Sequence, residues 1–182
     1  MSRTLEQYQA VVAQSRDVFI KKTRDYGTSW RVLRPVSIAD QVFIKAQRIR
    51  NLQEVQQQKV EDDIAGEFRA IINYGIIALM QMDLPKENPY TDLPLEQVEH
   101  LYDDKARFVR EVMENKNHDY GEAWRDLSQE SFVDLILTKL LRIKQILRNN
   151  GQTLISEGID ANYVDIVNYA VFALILLDEK SV

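Results

Sequence analysis

The strongest constraint on the fold of this chain is a duplication within its 182 residues. Asp25-Tyr26-Gly27 and Trp30-Arg31 recur 94 residues later as Asp119-Tyr120-Gly121 and Trp124-Arg125. The same offset matches Lys22 with Lys116, Leu33 with Leu127, Ser37 with Ser131, Asp40 with Asp134, Lys45 with Lys139, Arg48 with Arg142 and Ile49 with Ile143. An offset of 95 matches Asn73, Tyr74, Ala78 and Leu79 with Asn168, Tyr169, Ala173 and Leu174. We interpret the pattern as a tandem repeat, since both tryptophans of the protein take part in it.

The repeat predicts three helices in each copy. Apolar residues at helical spacing place them at about residues 5–22, 37–57 and 61–82, and again at about 95–115, 131–148 and 160–178. Two prolines among the polar residues 84–90 indicate a linker, at about 84–94, between repeat one (about 5–83) and repeat two (about 95–179). One repeat alone would bury a marginal core, whereas two could cover each other's apolar faces. We therefore predict one all-α domain over residues 1–182, a pseudo-symmetric six-helix bundle.

Composition limits the chemistry that the chain can carry. With no cysteine, it has no disulfide and no thiolate metal site, and two scattered histidines disfavour a zinc site. We expect no haem either. The net charge of −5 argues against a protein that coats nucleic acid or anionic membrane. A polar N-terminus and an apolar run near 166–177, shorter than the ~20 residues of a membrane span, predict a cytoplasmic protein without membrane contact.

The Asp-Tyr-Gly motif and the following tryptophan have two interpretations each. Glycine after a helix commonly forms its C-terminal cap, so Gly27 and Gly121 could simply end helices. The alternative is a ligand loop that includes Asp25 and Tyr26, or Asp119 and Tyr120. Trp30 and Trp124 could cover the core or could stack on a nucleobase. By the symmetry of the repeat, we expect the two tryptophans to have equivalent environments.

The second helix of each copy combines a cap-like motif with a basic pair. Ser37 and Asp40 have the spacing of a capping box, as do Ser131 and Asp134. The alternative is that the aspartates bind a metal or a ligand. Lys139 and Arg142 lie on or beside the apolar stripe of their helix, as Lys45 and Arg48 do in repeat one. Such side chains either extend to water or meet a carboxylate or a phosphate.

Each third helix supplies one inward carboxylate, at positions one turn apart in the two copies. These are Glu67 in repeat one and Asp165 in repeat two. Set against two basic residues, one carboxylate leaves a local positive excess unless Asp119 or Asp134 joins it, and such an excess suits a phosphate.

The combined motifs resemble the nucleotide modification associated domain 1 family, formerly a numbered domain of unknown function. The motifs are Asp-Tyr-Gly, a tryptophan, Asp, Lys and Arg on the next helix, and Asn-Tyr on the third. The resemblance covers nearly the whole chain in two copies. It implies a helical domain found near DNA-modification or nucleotide-modification systems, without an established activity.

More distantly, the helix order is similar to that of MazG-type all-α nucleoside triphosphate pyrophosphatases. That resemblance implies Mg²⁺ held by Glu-x-x-Glu on one helix and Glu-x-x-Asp on the next. This sequence departs from the pattern, because Asn162 and Ala70 each replace one carboxylate. Lys45 and Lys139 also stand where another carboxylate would be needed.

The sequence thus predicts a protein that binds a nucleotide through its phosphate, and catalysis stays open. The expected binding residues are Lys139, Arg142, Asp119, Tyr120 and Trp124, with a companion site at Lys45, Arg48, Asp25, Tyr26 and Trp30. If pyrophosphate hydrolysis occurs, the Mg²⁺ ligands would be Asp165, Asp134 and Glu67. The alternatives are a helical interaction module with a buried polar network and an accessory protein of DNA modification. DNA and partner proteins therefore remain open as partners.

Overall fold

The computed structural model describes residues 1–55 and 60–180, which form six long helices and no strand. The prediction of an all-α bundle is confirmed. Repeat one contains α1 (Arg3–Tyr26), α2 (Pro35–Val55) and α3 (Val60–Asp83), and repeat two contains α4 (Leu95–Tyr120), α5 (Gln129–Arg148) and α6 (Ile159–Lys180). A short 3₁₀ helix joins the first two helices of each repeat, at Ser29–Val32 and Ala123–Asp126. The predicted end of the second helix near Gln57 lies outside the described residues.

The first helix of each repeat ends at the glycine of the Asp-Tyr-Gly motif. Gly27 has φ 67° and ψ −149°, and Gly121 has φ 70° and ψ −160°. This combination is open essentially to glycine alone. Each glycine amide donates a 2.8 Å hydrogen bond to a carbonyl in the last turn of its helix, at Thr23 or Asn117. The interpretation as a helix terminator is confirmed, and the helices run four or five residues further than predicted.

The capping-box prediction was wrong, because both helices begin two residues before the motif serines. Ser131 lies inside α5, and its amide donates a hydrogen bond to the side chain of the N-cap residue Ser128. Asp40 and Asp134, instead of capping their own helices, pair with the other repeat. Asp40 Oδ1 lies 2.9 Å from Lys144 Nζ, and Asp134 Oδ1 lies 3.2 Å from Arg50 Nη1. The pairs are related by the repeat symmetry. Three of the four side chains are more than half exposed, so the pairs contribute little stability.

The core lies between the repeats as much as within them. Buried apolar side chains of all six helices form one contiguous cluster. The most extensive interhelical contacts are those of α3 with α6, α2 with α3, α5 with α6 and α2 with α5. Helices α3 and α6 approach closely because Gly75 has no side chain; a Cβ there would lie 2.5 Å from Cγ2 of Val167.

Two buried tyrosine–asparagine hydrogen bonds cross between the repeats. Tyr8 in α1 donates to Asn168 Oδ1 in α6, and Tyr102 in α4 donates to Asn73 Oδ1 in α3, each at 2.7 Å. Each asparagine also donates its amide to a carbonyl of the first helix of its own repeat. Burial raises the pKa of both tyrosines, so the phenols stay protonated donors. We call this pair of bonds the tyrosine–asparagine clasp.

Helix α6 is the central helix of the core. By length and composition alone its 22 residues are enough to cross a membrane, so the helix is longer than the apolar run near 166–177 indicates. In the structure, however, 72% of its apolar window is buried among the other helices. Its polar residues Asp165 and Asn168 are also buried and bonded to partners within the protein. The apolar character of α6 is therefore accounted for by the core.

Two glycines of α3 provide a matched test of the α3–α6 contact. Nothing lies within 4 Å of a Cβ built on Gly66, unlike at Gly75. Alanine improves helix propensity at both sites, by about 0.8–1 kcal/mol. We expect Gly66→Ala to raise the free energy of unfolding above that of the wild type. Gly75→Ala should be less stable than Gly66→Ala by the ~1–3 kcal/mol that overpacking costs. Urea denaturation measures both, and equal stability of the two variants would contradict the close approach.

The tyrosine–asparagine clasp is tested by comparing two buried tyrosines. Tyr102→Phe leaves the buried Asn73 oxygen without its donor, so we expect a loss of about 1–3 kcal/mol in the free energy of unfolding. Tyr163 is the control, because its buried hydroxyl has no hydrogen-bond partner within the described residues. Tyr163→Phe should leave stability unchanged or raise it. If thermal denaturation gave equal losses for both variants, the clasp would not contribute as argued.

Candidate functional site

Each repeat contains a cleft at equivalent positions, between its first helix, its 3₁₀ helix and its third helix. Cleft one, in repeat one, has a volume of about 630 Å³. Its lining includes Lys22, Tyr26, Trp30, Ala70, Tyr74 and Ile77. Cleft two, in repeat two, has a volume of only about 160 Å³. Its lining includes the six equivalents, Lys116, Tyr120, Trp124, Asp165, Tyr169 and Phe172. The duplication has therefore produced one open and one nearly filled version of the same cleft.

The two tryptophans occupy equivalent places with different neighbours. Trp124 is 6% exposed, and its ring stacks on Phe172 with centroids 4.2 Å apart and planes 5° apart. Trp30 is only half-buried, and its ring meets Phe19 at 6.2 Å and a tilt of 43°. At the position of Phe172, repeat one has Ile77. The expected equivalence thus holds for position, while the parallel aromatic stack is found only on Trp124 among the described residues.

In repeat two, one buried carboxylate pairs with two lysines. Asp165 is 8% exposed; its Oδ1 lies 2.7 Å from Lys116 Nζ and its Oδ2 lies 2.9 Å from Lys139 Nζ. Burial lowers the pKa of Lys116, but the hydrogen bond and the charge of Asp165 outweigh that effect and raise it. Arg142 has no ion pair within the described residues, and neither Asp119 nor Asp134 joins the cluster. Repeat two therefore keeps a local positive excess.

In repeat one, the carboxylate sits one turn earlier and takes different partners. Glu67 contacts Arg48 through Oε1, and its Oε2 lies 3.4 Å from Lys45 Nζ. Ala70 stands where repeat two has Asp165, so Lys22 lacks the carboxylate that its equivalent Lys116 has. Lys22 and Arg69 both line cleft one, and neither has an ion pair within the described side chains. The positive excess of repeat one thus faces its larger cleft.

The structure brings together only part of the predicted binding set. Tyr26 and Trp30 line cleft one, while Tyr120 and Trp124 line cleft two. The basic pairs Lys45 with Arg48 and Lys139 with Arg142 line neither, and three of these four side chains pair with Glu67 or Asp165. Asp25 and Asp119 are exposed and also lie outside both linings. The Asp-Tyr-Gly motif therefore contributes its tyrosine and glycine to the clefts, and its aspartate faces solvent.

The three predicted Mg²⁺ ligands do not form one site. No group of three or more Asp, Glu or His residues within the described part of the chain is placed to hold a metal. Glu67 and Asp165 belong to different repeats, and each is paired with two basic side chains. Asp134 pairs with Arg50. Glu67 and Asp165 are each held by basic side chains of their own repeat, which keeps them in separate clusters.

Sequence reasoning missed two basic residues of cleft one, Lys22 and Arg69. Lys22 recurs as Lys116, but nothing in the recurrence indicates that this lysine lines the same cleft as the tryptophan. Arg69 has a valine, Val164, at its equivalent position and gave no repeat signal.

Comparison with known proteins identifies the family of this chain. No curated protein and no solved structure gave a significant match. The resemblance to MazG-type enzymes is accordingly not shown. The profile of nucleotide modification associated domain 1 matches residues 22–82 and again residues 116–177. These two segments contain the tandem motifs and the linings of both clefts apart from Val18, Phe19 and Met113. The chain therefore belongs to the nucleotide modification associated domain 1 family, of which it carries two tandem copies.

Proposed function

We propose that the protein binds a nucleotide in cleft one and acts in nucleotide or DNA-modification metabolism. The observation that carries the proposal is the positive excess of this cleft: Lys22 and Arg69 line it without an ion pair in the described residues. Basic side chains freed in this way suit a phosphate. Beside them, Trp30 and Tyr26 offer the aromatic surface on which nucleobases stack. The family match to nucleotide modification supports the same ligand class.

Pyrophosphate hydrolysis is a separate, finer proposal. It requires Mg²⁺, which prefers oxygen ligands in near-octahedral geometry. Within the described part of the chain, Glu67 and Asp165 are the buried carboxylates, and both are already paired with basic side chains. Magnesium would have to displace these partners. Binding without catalysis is therefore the better supported activity, and pyrophosphate release from a triphosphate with Mg²⁺ is the assay that would reveal more.

A second candidate is a helical interaction module in which the repeated polar residues hold the repeats together. The tyrosine–asparagine clasp and the Asp165 cluster favour it, because these groups satisfy one another inside the protein. This candidate explains Asp165 and Lys139. It gives no role to Lys22 and Arg69.

The binding proposal is tested by a thermal-shift titration with adenosine mono-, di- and triphosphate, with and without Mg²⁺. A ligand at 100 times its Kd should stabilise the native state by about 2.7 kcal/mol. We expect Lys22→Ala and Arg69→Ala to weaken nucleotide binding by about 1.5–3 kcal/mol each, the worth of a hydrogen bond to a charged group. Both variants should keep near-normal stability, because these side chains pair with no described carboxylate.

The matched control is Lys21→Ala, which removes the neighbouring lysine of the same helix. Lys21 contacts Asp17 on the exposed face and does not line cleft one. This variant should bind nucleotide as the wild type does. The proposal would be wrong if no nucleotide raised the melting temperature of the wild type, or if Lys22→Ala and Arg69→Ala bound as tightly as Lys21→Ala.

The interaction-module candidate is tested at Asp165. Asp165→Asn keeps the size of the side chain but removes its charge, so the two lysines lose their common partner. We expect the free energy of unfolding to fall by about 1.5–3 kcal/mol. Asp119→Asn, at an exposed aspartate, should stay within about 0.5 kcal/mol of the wild type. Urea denaturation distinguishes the two, and an unchanged stability of Asp165→Asn would count against a structural role for the cluster.

A further inference from the structure

We propose that repeat two is filled by its own side chains, which mimic the ligand of repeat one. In cleft two, the ring of Phe172 and the carboxylate of Asp165 occupy the places that an aromatic ring and an anionic group of a ligand take in cleft one. The chain accordingly binds one ligand, at repeat one. This inference rests on the proposed function and specifies the ligand chemistry and the stoichiometry.

The ring half of the mimic is the stack of Phe172 on Trp124. Parallel planes at a centroid distance of 4.2 Å are the geometry of an offset aromatic stack. In repeat one, Ile77 replaces this phenylalanine, and Trp30 is left with only a tilted contact to Phe19. The cleft of repeat two therefore accommodates a planar ring stacked on its tryptophan. In repeat one, no side chain of the described residues stacks in parallel on Trp30.

The anion half of the mimic is the carboxylate of Asp165, held by Lys116 and Lys139. Repeat one keeps both lysines, as Lys22 and Lys45. It has Ala70 in place of the aspartate, so the space facing Lys22 belongs to the open cleft. Lys45 turns to Glu67 instead. An anion bound against Lys22, beside Ala70, would restore the contact that Lys116 has in repeat two.

The two halves are joined on one helix, which gives the chemical class of the ligand. Asp165 and Phe172 are seven residues apart on α6, about 10 Å along the helix axis, and both line cleft two. Ala70 and Ile77 have the same spacing on α3 and both line cleft one. The ligand that fits therefore carries a planar ring and an anionic group in one molecule. This is the chemistry of a nucleotide, and neither a nucleoside nor free phosphate would satisfy both halves.

The test introduces each half of the mimic into repeat one. Ala70→Asp supplies the carboxylate, and Ala70→Asn is its uncharged control of the same size. Ile77→Phe supplies the ring independently. The probes are adenosine triphosphate, adenosine and inorganic tripolyphosphate, measured by isothermal titration calorimetry on the full chain. Circular dichroism establishes that each variant is folded before it is titrated.

The expected results differ for the two halves. The wild type binds one adenosine triphosphate per chain, more tightly than it binds adenosine or tripolyphosphate. Ala70→Asp weakens the binding of adenosine triphosphate and tripolyphosphate at least about tenfold more than Ala70→Asn does, equivalent to 1.4 kcal/mol. Ile77→Phe weakens the binding of adenosine triphosphate and adenosine and leaves that of tripolyphosphate within about twofold, because the anion half of the cleft is untouched.

The outcomes separate this inference from the proposed function. If the wild type binds no adenosine triphosphate, the proposed function fails for this nucleotide and the inference fails with it. If the wild type binds and Lys22→Ala does not, the proposed function stands. In that case, two bound molecules per chain, or equal binding by Ala70→Asp and Ala70→Asn, would overturn the inference alone.

Discussion

The arrangement of the whole bundle depends on two buried asparagines, each of which forms hydrogen bonds with both repeats. Asn73 donates to the backbone of α1 and accepts from Tyr102 of α4, and Asn168 does the same with α4 and α1. A buried amide that loses a partner pays its desolvation cost without compensation. Either repeat by itself would therefore leave its asparagine oxygen without the tyrosine that serves it. The same bonds fix α1 and α4, whose C-terminal ends form one wall of each cleft.

The clefts follow from this arrangement. Gly27 and Gly121 end the first helices, and the short 3₁₀ helices that follow bring Trp30 and Trp124 back towards the third helices. The third helices distinguish the clefts by side-chain volume and charge at three equivalent positions, with Arg69, Ala70 and Ile77 on α3 against Val164, Asp165 and Phe172 on α6. The fold forms the same cleft walls in both repeats, and side chains on the third helices determine how much of each cleft stays open.

Much of the fold, and less of the site, was predictable from the sequence. Apolar residues at helical spacing, together with recurrence at offsets of 94 and 95, were enough to place six helices and the glycines that end two of them. The Ser-x-x-Asp pattern misled, because a capping box and the first turn of a helix interior share that spacing, and only the partners Lys144 and Arg50 decide between them. The ion pairs of Glu67 and Asp165 depend on which helix faces pack together. The offset between the repeats carries no information on that packing. Arg69 left no signal, since it is present in one copy only.

The exchange of contacts across the repeats resembles the interface of a symmetric dimer, yet a covalent duplication is free of a dimer's central restriction. In a homodimer, every substitution appears in both subunits, so a phenylalanine that fills one site fills the other as well. Joining the copies through the linker removes that coupling. Phe172 and Asp165 can then occupy one cleft while Ile77 and Ala70 leave the other open. The duplication thus lets the two clefts of one molecule change independently, so that one has narrowed to about 160 Å³ while the other keeps about 630 Å³.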